Sequence, residues 1–366
     1  MSDAAWMAQA LALAALGEGT TRPNPLVGCV IVKDGAIVGS GFHRAAGEAH
    51  AEALALAAAG ARATGATLYV NLEPCAHHGR TGPCSAAIVG AGIDRVVAAI
   101  VDPNPLVDGR GLAALRSAGI RVTVGVLESE ARALNASFLS THLRGRPLVT
   151  LKAAQSLDGR ISAAEGRSRW VTGEASRRYA HRLRFRHDAV LVGAGTVRRD
   201  DPSLNVRLPG VDAVRRRVVL APRLNLDPAA RVFAQERTSD PRVRVYVAAD
   251  CPGSQVARFS DIAEVVPVPH SAGGLDLATV LSDLHRIGVQ SVLVEGGGRT
   301  SGAFLESGLV DDIVLFVSGR LFGAAGATPV VDAAAIADPA KAWRVSRLAI
   351  APLGQDVVVF GRLTGA

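Results

Sequence analysis

Helix-length segments alternate with short apolar runs along this chain, and glycine marks many of the joins. Residues 112–118 read as a helix, Gly119 breaks it, and 120–126 read as a strand. The same order fits 85–91, with Gly92 as the helix cap, followed by a strand at 96–100. Upstream, residues 6–16 predict a helix, 27–32 and 36–40 predict strands, and 49–59 predict an alanine-rich helix ending at Gly60, before a strand at 67–71. The turn Lys33-Asp34-Gly35 joins the first two strands, since Asp-Gly is a strong hairpin signal. Such alternation calls for an α/β domain with a mixed sheet. A second unit opens near Arg146-Pro147, with strands at 148–154, 189–192, 217–220, 243–248, 291–294, 313–317 and 356–360. Helices fill 176–186, 277–287 and 300–307, and no short-period repeat is present.

At 366 residues the chain suits two domains, expected at residues 1–145 and 146–366. Its 49% hydrophobic and 20% charged content is that of a globular protein rather than a disordered one. No apolar run reaches the roughly 20 residues of a membrane span. The apolar stretch at 10–16 lacks a preceding Lys or Arg and follows Asp3, so it reads as a first helix rather than a signal peptide, and a cytoplasmic protein is expected. The net charge is +7, carried by 37 arginines and three lysines, Lys33, Lys152 and Lys341. Arginine suits phosphate through forked hydrogen bonds, whereas a solvated basic surface is the bland reading. Nucleic acid is disfavoured, because the arginines form no dense tract and aromatics are few. Four cysteines in a chain this long are no disulfide framework. Cys29 lies in an apolar run and reads as core, and Cys251 begins a turn and receives no role.

Cys75 and Cys84 belong to a sharper signal: His50-Ala51-Glu52, then Pro74-Cys75, then Cys84. One His and two Cys make the three ligands of a catalytic zinc that keeps one position open. Hydrolytic removal of a ring amine needs a nucleophile at neutral pH, which zinc supplies by lowering the pKa of bound water to about 7. Glu52 then shuttles protons, a constellation that marks zinc deaminases acting on bases. His50 and Glu52 fall at the start of one predicted helix and Cys84 just before another, where helix N-termini favour thiolate. The alternative is a closed structural zinc site with His77 or His78 as fourth ligand, but such a site has no need of Glu52 two residues after a ligand. His77 and His78 could instead contact substrate or line the loop.

The eight residues Ala76-His77-His78-Gly79-Arg80-Thr81-Gly82-Pro83 between the cysteines depart from the usual two. This longer segment resembles the riboflavin-pathway deaminases, with Gly82 where that family usually has proline. Pro23-Asn24-Pro25 with Val27-Gly28, Gly41-x-His43, Gly47-x-x-His50, and Asp102-Pro103-Asn104-Pro105 with Gly109-x-Gly111 extend the resemblance. It implies a cytidine-deaminase-like α/β/α fold, with Asn24 and His43 as substrate contacts. The lesser alternative makes Asn24 a turn residue between prolines and His43 a satisfied surface histidine.

The second half resembles the riboflavin-pathway reductases, which share a dihydrofolate-reductase-like α/β fold. The matching segments are residues 151–160, Ser168-Arg169-Trp170-Val171-Thr172, Leu183-Arg184, Gly193-x-Gly195-Thr196-Val197, Asp200-Asp201-Pro202-x-Leu204, Arg207, and Val294-Glu295-Gly296-Gly297-Gly298, in family order. The resemblance implies NADPH contacts at Ala154, Trp170, Thr196, Asp200, Gly297 and Gly298. It implies contacts to a phosphorylated sugar at Ser168, Arg184, Leu204, Arg207 and Glu295. Gly296 to Gly298 lie between a strand and a helix, where bare amides can approach phosphate, yet neither glycine run fits Gly-x-Gly-x-x-Gly. Lys152 is the expected proton source or polarising cation, since arginine cannot release its proton.

Taken together, the resemblance implies a two-domain riboflavin-biosynthesis enzyme. It would use Zn²⁺ and NADPH on a small phosphorylated pyrimidine, without nucleic acid or membrane, as a homo-oligomer. The competing readings are a nucleic-acid-editing zinc deaminase and a non-catalytic zinc-binding protein.

Overall fold

The computed structural model describes residues 1–76, 82–164, 171–211, 213–234, 242–323 and 325–364. It divides into two compact units, Met1–Gly145 and Arg146–Ala366.

In the first unit a five-stranded sheet has the order β2-β1-β3-β4-β5, with β1 (Gly28–Lys33), β2 (Ala36–Phe42), β3 (Thr67–Val70), β4 (Arg95–Ala98) and β5 (Arg121–Val124). β1 runs antiparallel to β2 and β3, and β3, β4 and β5 are parallel. The helices are α1 (Asp3–Ala15), α2 (Ala51–Ala59), α3 (Cys84–Gly90), α4 (Arg110–Ser117), α5 (Glu128–Leu134) and α6 (Ala136–Arg144). Alternation along the strands divides the core in two: Cys29, Ile31, Leu68 and Val96 pack with α2, α3 and α4, while Val30, Val32, Tyr69 and Val97 pack with α1 and α6. Cys29 is fully buried, as its apolar run requires. Two glycines set how closely α2 approaches: a Cβ on Gly39 would lie 2.2 Å from the Ala55 carbonyl, and one on Gly41 would lie 2.8 Å from the Ala51 carbonyl.

The second unit holds a nine-stranded sheet of order β11-β10-β9-β8-β14-β6-β15-β18-β17. Its strands are β6 (Leu148–Ser156), β8 (Ala189–Gly193), β9 (Arg216–Leu220), β10 (Val243–Ala248), β11 (Ala263–Val268), β14 (Ser291–Val294), β15 (Asp312–Ser318), β17 (Arg344–Leu353) and β18 (Asp356–Thr364). Short pairs join β7 (Arg160–Ser162) to β16 (Thr328–Pro329), and β12 (His270–Ser271) to β13 (Gly274–Leu275). The ladder from β11 to β15 is parallel, and β18 and β17 add antiparallel. Helices α7 (Glu174–Arg186), α8 (Ala194–Asp200), α9 (Gly253–Ala257), α10 (Leu277–Arg286) and α11 (Gly298–Glu306) link the strands. The central strands are apolar on both faces, as parallel strands covered twice must be.

The α/β class read from the alternation holds in both units. The helices α5, α6, α8 and α9, the strands β11 and β17, and the short strands β7, β12, β13 and β16 were not anticipated. Among the described residues no helix is long and apolar enough to cross a membrane.

Candidate active sites

The first site lies beyond the carboxyl ends of β3 and β4, where parallel α/β sheets place their ligands. His50 is the N-cap of α2, in extended conformation (φ −70°, ψ 157°), and Glu52 sits in the first helical turn. Cys84 is the first residue of α3. Its backbone N–H donates to Cys75 Sγ (3.4 Å), and that of Ser85 donates to the Cys75 carbonyl (3.1 Å). Two residues distant in sequence are thereby drawn together. His50 Nδ1 lies 3.2 Å from Cys84 Sγ and 3.6 Å from Cys75 Sγ, and the three ligand atoms all fall within 4.8 Å of one another. Edges near 3.5 Å are what a tetrahedral metal with bonds of about 2.0–2.3 Å requires, so one imidazole and two thiols fit Zn²⁺. A hydrogen bond from Cys84, aided by His50, draws the Cys75 thiol down to about 4, while its hydrogen bond to Cys75 and its burial hold Cys84 up. Burial raises the Glu52 carboxyl to about 7. His77 and His78 lie outside the described residues. Gly82 has open space around its Cβ position, so exchanging proline for glycine there displaces nothing.

Asn24 and His43 also come to this site. The His43 ring is 5.7 Å from that of His50, edge to face. Its Nδ1 donates to the Ala49 carbonyl (3.1 Å), which leaves Nε2 to accept from Asn24 Nδ2 (3.0 Å). Both nitrogens of this buried ring are engaged, and the Asn24 amide is oriented by it.

Three polar residues that sequence reasoning passed over build the surrounding frame. The Asn71 side chain accepts from Gly28 N–H (2.8 Å) and donates to the Leu26 carbonyl (2.8 Å). Asn135 accepts from Leu26 N–H (2.8 Å) and donates to the same carbonyl (2.9 Å), so the strand leading from Asn24 is held from two sides. Glu73, two residues before Cys75 and buried, accepts from four backbone amides: Asp102 (3.1 Å) and Gly109 (3.0 Å) at Oε2, Gly111 (2.8 Å) and Leu112 (3.1 Å) at Oε1. Its place beside Pro74-Cys75 was the available signal.

The second site follows from strand register. Val294 pairs with Leu151, which sets Glu295 beside Lys152. Lys152 Nζ lies 3.6 Å from Glu295 Oε2 and 5.7 Å from the Phe316 ring centre. Leu183 of α7 packs on Leu293, which brings Arg184 to the same carboxylate. Arg184 Nε and Nη2 donate to Glu295 at 2.7 and 2.9 Å, and Nη1 donates to the Asn205 carbonyl (3.0 Å). The fork expected to face a phosphate therefore grips Glu295, and one N–H on each terminal nitrogen is left for other partners. Burial would raise the Glu295 carboxyl, but Arg184 and Lys152 hold it well below the usual carboxylate range.

Arg207 is exposed; its backbone N–H donates to His181 Nδ1 (3.1 Å) and its guanidinium lies 3.4 Å from Nε2. His181, one turn before Arg184 on α7, was another residue missed. Burial, reinforced by Arg184 and Arg207, lowers it to about 4. Leu204 has a buried side chain in the core and a left-handed backbone (φ 54°).

A cavity of about 650 Å³ opens beyond β8, β9 and β14. Thr196, Gly297 and Gly298 line it, whereas Ala154 packs under α7 and Asp200 closes α8 at the surface. A Cβ on Gly298 would lie 2.5 Å from the Pro329 carbonyl, so that glycine serves chain packing. Gly297 faces Thr196 with room to spare. Ser168 and Trp170 lie outside the described residues. Glycine backbone at the start of α11 and arginines around the rim suit a dinucleotide phosphate chain.

Comparison with known proteins adds to this geometry. A family model described as the cytidine and deoxycytidylate deaminase zinc-binding region matches residues 1–100, and one described as the RibD C-terminal domain matches residues 147–359. The riboflavin biosynthesis protein RibD of Aquifex aeolicus is 41% identical over 358 residues, covering 98% of each chain. The solved structure of Acinetobacter baumannii RibD has a TM-score of 0.87 at 40% identity over 99% of both chains. That of a Thermotoga maritima diaminohydroxyphosphoribosylaminopyrimidine deaminase/5-amino-6-(5-phosphoribosylamino)uracil reductase has a TM-score of 0.84 at 34% identity, again over 99% of both. Neither an editing deaminase nor a non-catalytic zinc protein is favoured by matches of this extent.

Proposed function

We propose a division of two reactions over this molecule from one premise: the chain belongs to the RibD family of riboflavin biosynthesis proteins. It is a bifunctional enzyme, a deaminase and a reductase in one chain. Residues 1–145 carry the deaminase and 146–366 the reductase. The substrate is 2,5-diamino-6-ribosylamino-4(3H)-pyrimidinone 5′-phosphate, deaminated first to 5-amino-6-ribosylaminouracil 5′-phosphate and then reduced to the ribityl compound.

The observation that carries the deaminase reading is the convergence of His50, Cys75 and Cys84 beside a buried Glu52. When Zn²⁺ is held by those three ligands it supplies a water acidic near neutrality, with a pKa of about 7. Beside that water Glu52 would be the proton carrier: its carboxylate would take up the proton released as the water adds to the ring carbon and pass it to the ring nitrogen next to the amine, and a second transfer would let the amine leave as ammonia. His43 turns the Asn24 amide so that its Oδ1 accepts from the pyrimidine.

In the reductase, NADPH supplies the hydride. Lys152 Nζ holds the proton that the sugar oxygen takes up when the ring opens, and Glu295 holds Lys152 and Arg184 in place. Arg207 and the remaining N–H groups of Arg184 bind the sugar phosphate. Two cysteines given to zinc and two left as thiols accord with a reducing, cytoplasmic setting, and the exposed edge of β17 supports a homo-oligomer.

One time course tests the whole reading. With the diamino substrate and NADPH, ammonia should appear first and NADPH absorbance should fall after it. Constant NADPH during ammonia release would overturn the reductase half. The Glu52→Ala variant should keep its zinc by elemental analysis and lose ammonia release by at least roughly 10²-fold, the scale of a lost general acid–base.

A further inference from the structure

Helix α7 carries a histidine beside Arg184 and Arg207. His181 and Arg184 stand three residues apart on one face of the helix, and both reach the segment that follows Leu204. That segment is fixed at three points. The Leu204 side chain is buried in the core with its backbone left-handed (φ 54°), the Asn205 carbonyl accepts from Arg184 Nη1 (3.0 Å), and the Arg207 N–H donates to His181 Nδ1 (3.1 Å). The helix therefore sets where the Arg207 main chain lies.

The imidazole of His181 meets donors on both sides. Arg207 Nε and Nη2 each lie 3.4 Å from its Nε2. A neutral imidazole accepts at one nitrogen and carries hydrogen on the other. The main-chain donor at Nδ1 is the closer and cannot turn away, so the hydrogen falls on Nε2. Hydrogen on both nitrogens is disfavoured, because burial, reinforced by Arg184 and Arg207, lowers the ring to about 4. Nε2–H then faces guanidinium N–H groups, donor against donor. The acceptors close by are engaged: Glu295 takes Nε and Nη2 of Arg184 (2.7 and 2.9 Å), and the Asn205 carbonyl takes its Nη1. Converging donors of this kind are satisfied by an anionic oxygen, which accepts from several at once.

We propose that His181 is a further ligand of the substrate's sugar phosphate, its Nε2–H donating to a phosphate oxygen that Arg207 binds from the other side. Nδ1 holds the Arg207 main chain meanwhile, so one ring both positions the arginine and adds a donor of its own. A neutral donor suits this place, since it contributes a hydrogen bond without another positive charge beside Arg184 and Arg207. The inference rests on reading those two arginines as the phosphate site.

Steady-state NADPH oxidation by the full-length protein tests both levels, with 5-amino-6-ribosylaminouracil offered with and without its 5′-phosphate. Asparagine can reproduce the Nδ1 acceptor but cannot reach the Nε2 position, which glutamine can. His181→Asn should narrow the preference in KM for the phosphorylated form by at least roughly tenfold, the scale of a lost hydrogen bond to a charged group. His181→Gln should retain most of that preference. A preference lost in Arg207→Ala but kept in His181→Asn, even with both substrates weakened together, would overturn the assignment of His181 while the phosphate site stands. Equal losses in His181→Asn and His181→Gln would do the same. No preference in the native protein, or one that Arg207→Ala leaves intact, would overturn the phosphate site itself.

Discussion

A buried Glu73 that accepts from four amides replaces the water those amides would otherwise need. Glu73→Ala strands four donors, each worth about 1–3 kcal/mol when buried and unsatisfied. Some will relax toward solvent, so a loss near 4 kcal/mol in the urea unfolding free energy is expected, with deaminase activity falling alongside. His181 gives a pH test. Its folded value of about 4 lies below the ordinary 6.5, so between these the unfolded chain holds the proton and the folded chain does not. Its contribution is intact above about pH 6.5 and is lost as pH falls toward 4. His181→Gln should shrink the drop in urea midpoint between pH 7 and pH 5; an unchanged drop would place that pH dependence elsewhere. These two residues also mark where sequence reading stops. His50, Glu52, Cys75 and Cys84 were legible because ligand chemistry fixes both residue type and spacing. The partners of Glu73 are main-chain amides 29 to 39 residues away, which no side-chain pattern encodes.

Among the elements, α2 carries His50, the proposed metal ligand, at its cap and Glu52, the proposed proton carrier, in its first turn, so the seat of the helix sets both at once. Gly39 and Gly41 let it lie close on β2. Gly41→Ala forces a Cβ within 2.6–2.9 Å of Leu54, Ala51 and Ala55. Overpacking of this kind costs about 1–3 kcal/mol. The variant should lose zinc affinity and ammonia release together while the NADPH affinity of the second unit is unchanged; separate losses would mean that helix placement is not shared between the two. Most elements were legible because their apolar period was clean. The exceptions have physical causes. α5 and α6 span a charged, polar stretch and begin after left-handed Leu127. β17 is an edge strand with little burial, so it shows no alternation of apolar and polar residues.

For the molecule as a whole, that edge matters. Leu348 and Ile350 of β17 are 58% and 65% exposed on the rim of a nine-stranded sheet. Proteins rarely leave such an edge bare, because unpaired strand groups invite association. Light scattering should give a homo-oligomer for the native chain and a smaller species for Leu348→Lys/Ile350→Lys. An unchanged mass would move the interface elsewhere. The division near Arg146-Pro147 and the order of motifs were readable along the chain, whereas the crossing that inserts β14 between β8 and β6 was not, since strand order leaves no local mark.

The Glu73 anchor has a consequence for how this enzyme can change. It grips the segment from Asp102 to Leu112 by main-chain hydrogens alone and is blind to what the side chains there are. The stretch between the gripped amides can drift in composition, and with it the shape and charge presented nearby, while the backbone stays pinned. At the gripped positions themselves proline is barred for want of an N–H, Gly111 admits no side chain because a Cβ there would lie 1.9 Å from the Pro74 carbonyl, and Gly109 holds a left-handed φ of 82°. A library confined to the exposed Pro105 and Leu106 should therefore yield mostly folded proteins, whereas one that also varies the buried Val107 should not.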